Sequence, residues 1–244
     1  MKIVLIIPTY NEKGGITALL KDIFAELVLI PHHKFNILVV DANSPDGTAE
    51  AVRGLQKLNN NIEIIVEPKK RGLGAAYTVG IRYAIEKLAA DAVIEFDGDF
   101  QHDPKDIKRL VAKFDEGYDY VIGSRYVPGG SIPAEWSWHQ RFLSEHGSYF
   151  IRRALRIPTH DNTSGFKMSR VKNFLDRIDL TEEKLLSRFH AYKITLLYEM
   201  LNLGARFVEV PITFLERNRG QSKSTARDVF ESLKVVLILK FRKQ

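Results

Sequence analysis

The chain has 244 residues, 45% of them hydrophobic and 27% charged, which is enough apolar material for a full α/β core and too little charge for a disordered chain. It has no cysteine, so disulfides, thiolate zinc sites and cysteine nucleophiles are excluded. With 36 basic and 30 acidic residues the formal charge is +6. That favours nucleotide sugars, lipid phosphates or acidic membrane surfaces as partners, and is too weak and evenly spread to indicate nucleic acid.

The first half alternates strand and helix. Residues 2–7 read as an apolar strand stopped by Pro8, too short for a signal sequence. A turn with Asn11, Gly14 and Gly15 follows, and then Ile16, Leu19, Leu20, Ile23, Phe24 and Leu27 recur at helical spacing. Residues 36–41 form a second strand, with a helix over 49–58, and 62–66 a third. Arg71-Gly72-Leu73-Gly74 opens a helix to about residue 89. The fourth strand is 91–96, Pro104 sits as the first residue of the next helix, and 120–123 is a short fifth strand. Such alternation predicts a mostly parallel sheet with helices on both faces, and ligands beyond the carboxyl ends of its strands. Residues 8–12, 41–44 and 97–99 lie at those ends and should converge.

After Gly123 the pattern breaks. Residues 127–138 are loop-like, 139–155 helical, 159–165 a polar turn, 178–198 helical with a break, and 207–210 a strand. Residues 217–224 form a polar basic loop and 228–241 an amphipathic helix. The expected organisation is one domain over 1–244, in two halves (1–126 and 127–227) and the terminal helix (228–244). No segment approaches the ~20 apolar residues of a spanning helix, so the protein is expected on the cytoplasmic side, peripheral to a membrane.

The most informative stretch is VIEFDGDFQHD, residues 93–103. Asp97 and Asp99 stand one residue apart at the end of a buried strand, where unpaired carboxylates cost several kcal/mol. Hard oxygen ligands suit Mg²⁺ or Mn²⁺, with water and phosphate completing the shell. The alternative is an acidic turn. Gly98 lets the backbone pass close to a sugar, Gln101 either completes the shell or orients an acceptor phosphate, and His102 reads as a polar loop residue. Tyr10 offers an aromatic face for a nucleobase or for packing, while Glu12 and Asp41 are acceptors for ring N–H or ribose hydroxyls. Asp41 equally suits a turn.

IPTYNE (7–12), VVDANSPDGT (39–48), RGLGAAYTVGI (71–81), DGDFQHDP (97–104), GSRYV (123–127), TSGFK (163–167) and EVPITFLERNRGQSK (209–223) occur in one order. This resembles the family-2 glycosyltransferases of the GT-A (Rossmann-like) fold, and among them the dolichyl-phosphate (polyprenyl-phosphate) mannosyltransferases. The resemblance covers nearly the whole chain. It implies nucleotide-sugar contacts at Pro8, Tyr10, Glu12, Val40, Asp41, Asn43, Asp97, Gly98 and Asp99, and a metal at Asp97, Asp99 and Gln101. It also implies a loop with Arg217 and Lys223 closing over the donor, and Arg125 and Arg141 holding the acceptor phosphate.

The reaction so implied is inverting transfer of a hexose, mannose from GDP-mannose, to a polyprenyl or dolichyl phosphate. An acceptor already anionic needs no general base. UDP-glucose as donor, a polysaccharide acceptor, a non-catalytic sugar-nucleotide scaffold and a membrane-spanning partner subunit stay open. Two departures from the family stand out: Asp41-Ala42 replaces the usual Asp-Asp, and Lys193-Ile194-Thr195 lacks the acidic residue many relatives carry.

Overall fold

The structure is a computed structural model and describes residues 1–216 and 226–242. Seven strands form one sheet: β1 (Lys2–Thr9), β2 (Lys34–Asp41), β3 (Ile62–Val66), β4 (Ala92–Glu95), β5 (Tyr120–Ser124), β6 (Lys167–Arg170) and β7 (Phe207–Pro211). Their order is β3-β2-β1-β4-β6-β5-β7, and every pairing is parallel except those of β6, which runs antiparallel between β4 and β5.

Seven α-helices are described: α1 (Lys13–Leu27), α2 (Thr48–Gln56), α3 (Leu73–Glu86), α4 (Ile107–Asp115), α5 (Trp138–Leu155), α6 (Tyr192–Asn202) and α7 (Ala226–Phe241). Because β1 is buried on both sides, it is apolar from Ile3 to Pro8, as the interior of a central parallel strand must be. Val4 and Ile6 meet Tyr77 of α3, Leu197 of α6 and Val236 of α7 in one apolar cluster. Ile3, Leu5 and Ile7 meet Ile16 and Leu19 of α1 and Leu110 of α4 in the other.

The expected elements of the first half are all present. Pro104 opens a short 3-10 turn (Pro104–Asp106) ahead of α4, with the Asp103 side chain accepting from the Lys105 N–H at 2.9 Å. Strand β6 lies just past the expected 159–165 turn, where no element was expected, and the helix expected over 178–198 is regular only from Tyr192. The reason for the late helix start lies in Arg71-Gly72-Leu73-Gly74. A Cβ on Gly72 would stand 2.4 Å from the Arg188 carbonyl oxygen, and one on Gly74 would stand 2.8 Å from that of Phe189. The two glycines therefore let the 188–189 backbone lie directly on the start of α3, and Ala75 N–H donates to the Arg188 carbonyl at 3.1 Å. This is a packing role.

Helix α7 buries Val235, Val236 and Leu239 and exposes Phe230, Leu233, Leu237 and Phe241. Val236 belongs to the core. No helix among the described residues is long and apolar enough to cross a membrane.

Candidate active site

The three strand ends converge. Thr9 pairs with Asp41 across β1 and β2, and Asn11 N–H donates to Ser44 Oγ at 3.0 Å. A Cβ on Gly98 would lie 2.9 Å from the Pro8 carbonyl oxygen, so only glycine lets the acidic motif pass this close to β1. On the rim of this cleft, Tyr10 carries Lys70 Nζ 3.8 Å from its ring centroid, Asn43 is exposed and Glu12 is half-buried.

Asp41 is fully buried and accepts from the Thr9 hydroxyl (2.9 Å) and from Ser44 N–H (2.8 Å) and Oγ–H (2.6 Å). It holds the turn and presents no surface to a ligand. Val40 is likewise a core residue: its methyl would touch a Cβ on Gly80 at 3.2 Å. The resemblance implies nucleotide-sugar contacts at both positions, and both side chains are buried here. Ala42 keeps a backbone role, donating its N–H to the Thr9 carbonyl at 3.0 Å.

Asp97 is bound from three sides. Tyr77 Oη–H donates to Oδ1 at 2.8 Å, Lys193 Nζ stands 3.4 Å from Oδ2, and His102 Nε2 lies 3.6 Å away. Burial works against its ionisation, but Lys193, His102 and Tyr77 outweigh it and hold the carboxyl well below the usual carboxylate range. His102, expected in a polar loop, is buried within an aromatic cage of Phe96, Phe166 and Phe214. Asp99 is half-buried and accepts the Gln101 N–H at 3.2 Å, while the Gln101 carbonyl accepts from Leu215 N–H at 2.8 Å. The segment leading to Arg217 is thus anchored beside the acidic motif. Arg217 and Lys223 themselves lie outside the described residues.

Beneath the motif lies a second buried charge group. Burial pushes Lys167 down to about 8 from its ordinary 10.5, against the pull of Glu95. Between those two values the unfolded chain binds more protons than the folded one, so this group makes stability rise with pH across that interval. Urea melts of wild type and Lys167→Met at pH 7.5 and 9.5 should show the difference moving in favour of wild type at the higher pH. A pH-independent difference would rule the account out.

Arg125 and Arg141 are engaged inside the protein. Arg125 forms a fork on Asp161, with Nε–Oδ2 and Nη2–Oδ1 both 2.7 Å, and its Nη2 also donates to Thr163 Oγ1 at 3.0 Å. Asp161 N–H in turn donates to Glu209 Oε1 at 2.8 Å. The GSRYV, TSGFK and EVPI motifs therefore meet in one ionic framework. Arg141 donates to the carbonyls of Pro133, Ala134 and Trp136 and so shapes the loop before α5. Both arginines line a groove of about 680 Å³ together with Tyr126, Tyr149, Arg152 and His160. Arg152, which sequence reading missed, projects from α5 into that groove. Its only signal was its place on a helix with an aromatic outer face.

The acidic motif is no ready-made cage. Among the described residues, the group of metal-ligating type whose atoms converge is His32, His33 and Asp115, at the other end of the sheet. A cation at Asp99 would depend on water or ligand oxygens for most of its shell, which is how Mg²⁺ and Mn²⁺ are usually held beside phosphates. The donor set fits such an ion.

The family described as Glycosyl transferase family 2 matches residues 4–177. The chain belongs to glycosyl transferase family 2. It is a glycosyltransferase, and its relatives lie in the polyprenyl-phosphate branch that the motifs resemble. It is 34% identical over 232 residues to polyprenol monophosphomannose synthase of Mycolicibacterium smegmatis, covering 93% of this chain and 83% of that one. It is 34% identical over 236 residues to undecaprenyl-phosphate mannosyltransferase of Micrococcus luteus, covering 96% and 91%. Among solved structures, the glucosyl-3-phosphoglycerate synthase of Mycobacterium tuberculosis with Mn²⁺, uridine diphosphate and product superposes with a TM-score of 0.64 at 17% identity, over 98% of this chain and 79% of that one. The mannosyl-3-phosphoglycerate synthase of Rubrobacter xylanophilus gives 0.66 at 18%, over 98% and 72%. These two establish the shared GT-A fold.

Proposed function

We propose that this family-2 glycosyltransferase moves mannose from GDP-mannose to a polyprenyl phosphate at a membrane surface, with Mg²⁺ or Mn²⁺ held by Asp99. The observation that carries the reading is the arginine-lined groove reaching from Arg125 to Arg152, which suits a phosphate bearing an apolar tail. The substrates of the two 34%-identical relatives support it. In this reading residues 1–126 bind the donor and residues 127–227 the acceptor. Pro8, Tyr10, Glu12 and Asn43 form the base and ribose side, Asp97 and Gly98 face the sugar, and Gln101 orients the diphosphate end.

Asp99 would hold the divalent ion, which when bound would supply charge neutralisation at the departing diphosphate. Arg217 and Lys223 add to that charge neutralisation. Arg152 orients the acceptor phosphate, and Arg125 and Arg141 fix the walls against which it sits. The acceptor oxygen is anionic at neutral pH, so no base is required, and positioning with charge stabilisation drives the step.

The test is transfer by purified protein from labelled GDP-mannose to undecaprenyl phosphate in detergent with Mn²⁺, beside arms with UDP-glucose and with a polysaccharide acceptor. Transfer in either of the latter arms alone overturns the reading. Arg152→Ala should raise the acceptor KM about 10- to 100-fold, as loss of a charged hydrogen bond of ~1.5–3 kcal/mol implies, with the donor KM unchanged.

Membrane contact in this reading is made by two helices packed on each other. Trp138, Phe142, Leu143, Tyr149 and Phe150 are exposed on α5, and Phe230, Leu233, Leu237 and Phe241 on α7. Arg152, Arg153, Lys234, Lys240 and Arg242 supply positive charge beside them. Flotation with anionic vesicles is expected for wild type and lost in Leu233→Glu/Leu237→Glu. The reading places the protein on the cytoplasmic face, with or without a membrane-spanning partner subunit.

A further inference from the structure

Lys193 is the second residue of α6, yet its side chain is only 5% exposed. A buried ammonium is costly unless something negative receives it, and its Nζ stands 3.4 Å from Asp97 Oδ2. The fold makes room for this contact. A Cβ on Gly165 would lie 2.2 Å from Asp97 Oδ2 and 2.6 Å from Lys193 Nζ, so the TSGFK turn must carry glycine where the pair passes. The neighbouring Tyr192 stacks on Tyr77 with centroids 5.6 Å apart, and Tyr77 donates to the other oxygen of Asp97. One helix start and one glycine turn therefore fix a cation against the first carboxylate of the acidic motif. Thr195, two residues on, is fully buried, and its hydroxyl has no protein partner, so no negative charge on α6 offsets Lys193 there.

From this we infer that Lys193 is a positioning residue that reserves Asp97 for the donor sugar and keeps the divalent ion on Asp99, weakening metal binding in the absence of donor. The inference rests on the proposed metal-dependent transfer. A doubly charged ion bridging Asp97 and Asp99 would stand within a few ångströms of the ammonium, and that repulsion is strong at the low effective dielectric of a half-buried site. Asp97, with both oxygens engaged, then acts as an acceptor for sugar hydroxyls. The metal reaches full occupancy only when diphosphate oxygens join Asp99.

The experiment is titration of Mn²⁺ into nucleotide-free protein, with unbound Mn²⁺ read by electron paramagnetic resonance. Lys193→Gln removes the charge and keeps a polar side chain, and it should tighten Mn²⁺ binding by at least about tenfold. Lys193→Arg keeps the charge and should stay near wild type. In an Asp97→Asn background, Lys193→Gln should bring no tightening, since the second carboxylate is gone. Circular dichroism and melting confirm that each variant is folded. Unchanged or weaker Mn²⁺ binding in folded Lys193→Gln, including a variant that only melts earlier, overturns the inference and leaves the proposed reaction intact. If neither protein binds Mn²⁺ even with GDP present, the metal-dependent reading itself fails, and the inference with it.

Discussion

Asp99→Asn is expected to reduce sugar transfer by roughly 10³-fold or more while leaving the fold intact. The carboxylate is half-buried at the exit of β4 and accepts the Gln101 N–H at 3.2 Å, a bond that an amide oxygen can keep. The loss would fall on the departing diphosphate, whose charge the bound ion neutralises by several kcal/mol, and each 1.36 kcal/mol is tenfold in rate. Asp97 cannot take over, because its oxygens are held by Tyr77 and Lys193. Initial rates in saturating Mn²⁺ measure the first effect. Binding of GDP in Mn²⁺ and in EDTA measures the second: wild type should lose affinity on chelation, and the variant should bind equally in both. A variant that keeps a tenth of wild-type turnover, or that still loses donor affinity in EDTA, would show that the ion is held elsewhere.

The sequence made the first half of the fold legible because each strand there is a continuous apolar run and each helix has an apolar period. Convergence of residues 8–12, 41–44 and 97–99 followed from that alone. Strand β6 escaped because its four residues, Lys167–Arg170, begin and end with a cation. Lys167 sits in the core beside the buried Glu95, a pairing invisible across 71 intervening positions. The irregular stretch before α6 escaped for a tertiary reason, the approach of its backbone to Gly72 and Gly74. At the site, motif matching found the acidic pair but treated Asp97 and Asp99 as equivalent, and only the geometry separates them. The resemblance implies Arg125 and Arg141 at the acceptor phosphate, and nothing in the sequence signals the carboxylate and the carbonyls that hold them. Lys193 stood two residues from Thr195, the departure from the family, but its own meaning required the 3.4 Å contact.

The ionic framework beside the groove yields the second large expectation, a loss of stability in Asp161→Ala. The Asp161 side chain is fully buried and accepts from Arg125 three times: from its N–H at 3.0 Å, and from Nε and Nη2 at 2.7 Å each. Removing it strands a guanidinium whose side chain is only 9% exposed. Breaking one partner of such a buried pair costs about 3–5 kcal/mol, and for a chain of this size a melting temperature falls roughly 2–4 °C per kcal/mol. A drop on the order of 10 °C is expected. The pH dependence carries a sign. Burial opposes ionisation of Asp161, but Arg125 prevails and lowers its carboxyl below the ordinary 3.8. The pair's stabilisation is thus fully present above pH 3.8 and fades as the pH falls further, so the gap between wild type and variant should be constant near neutrality and narrow only in strong acid. Replacing both partners tests whether the cost lies in the stranded charge. Arg125→Met/Asp161→Leu should recover much of the loss, because well-packed apolar residues of similar volume often match a buried ion pair. Since the same pair forms one wall of the groove, the recovered double variant should still show a raised KM for the polyprenyl phosphate. A single variant that melts within a degree or two of wild type would mean that the framework is held by Glu209 and the strands, with the arginine fork incidental.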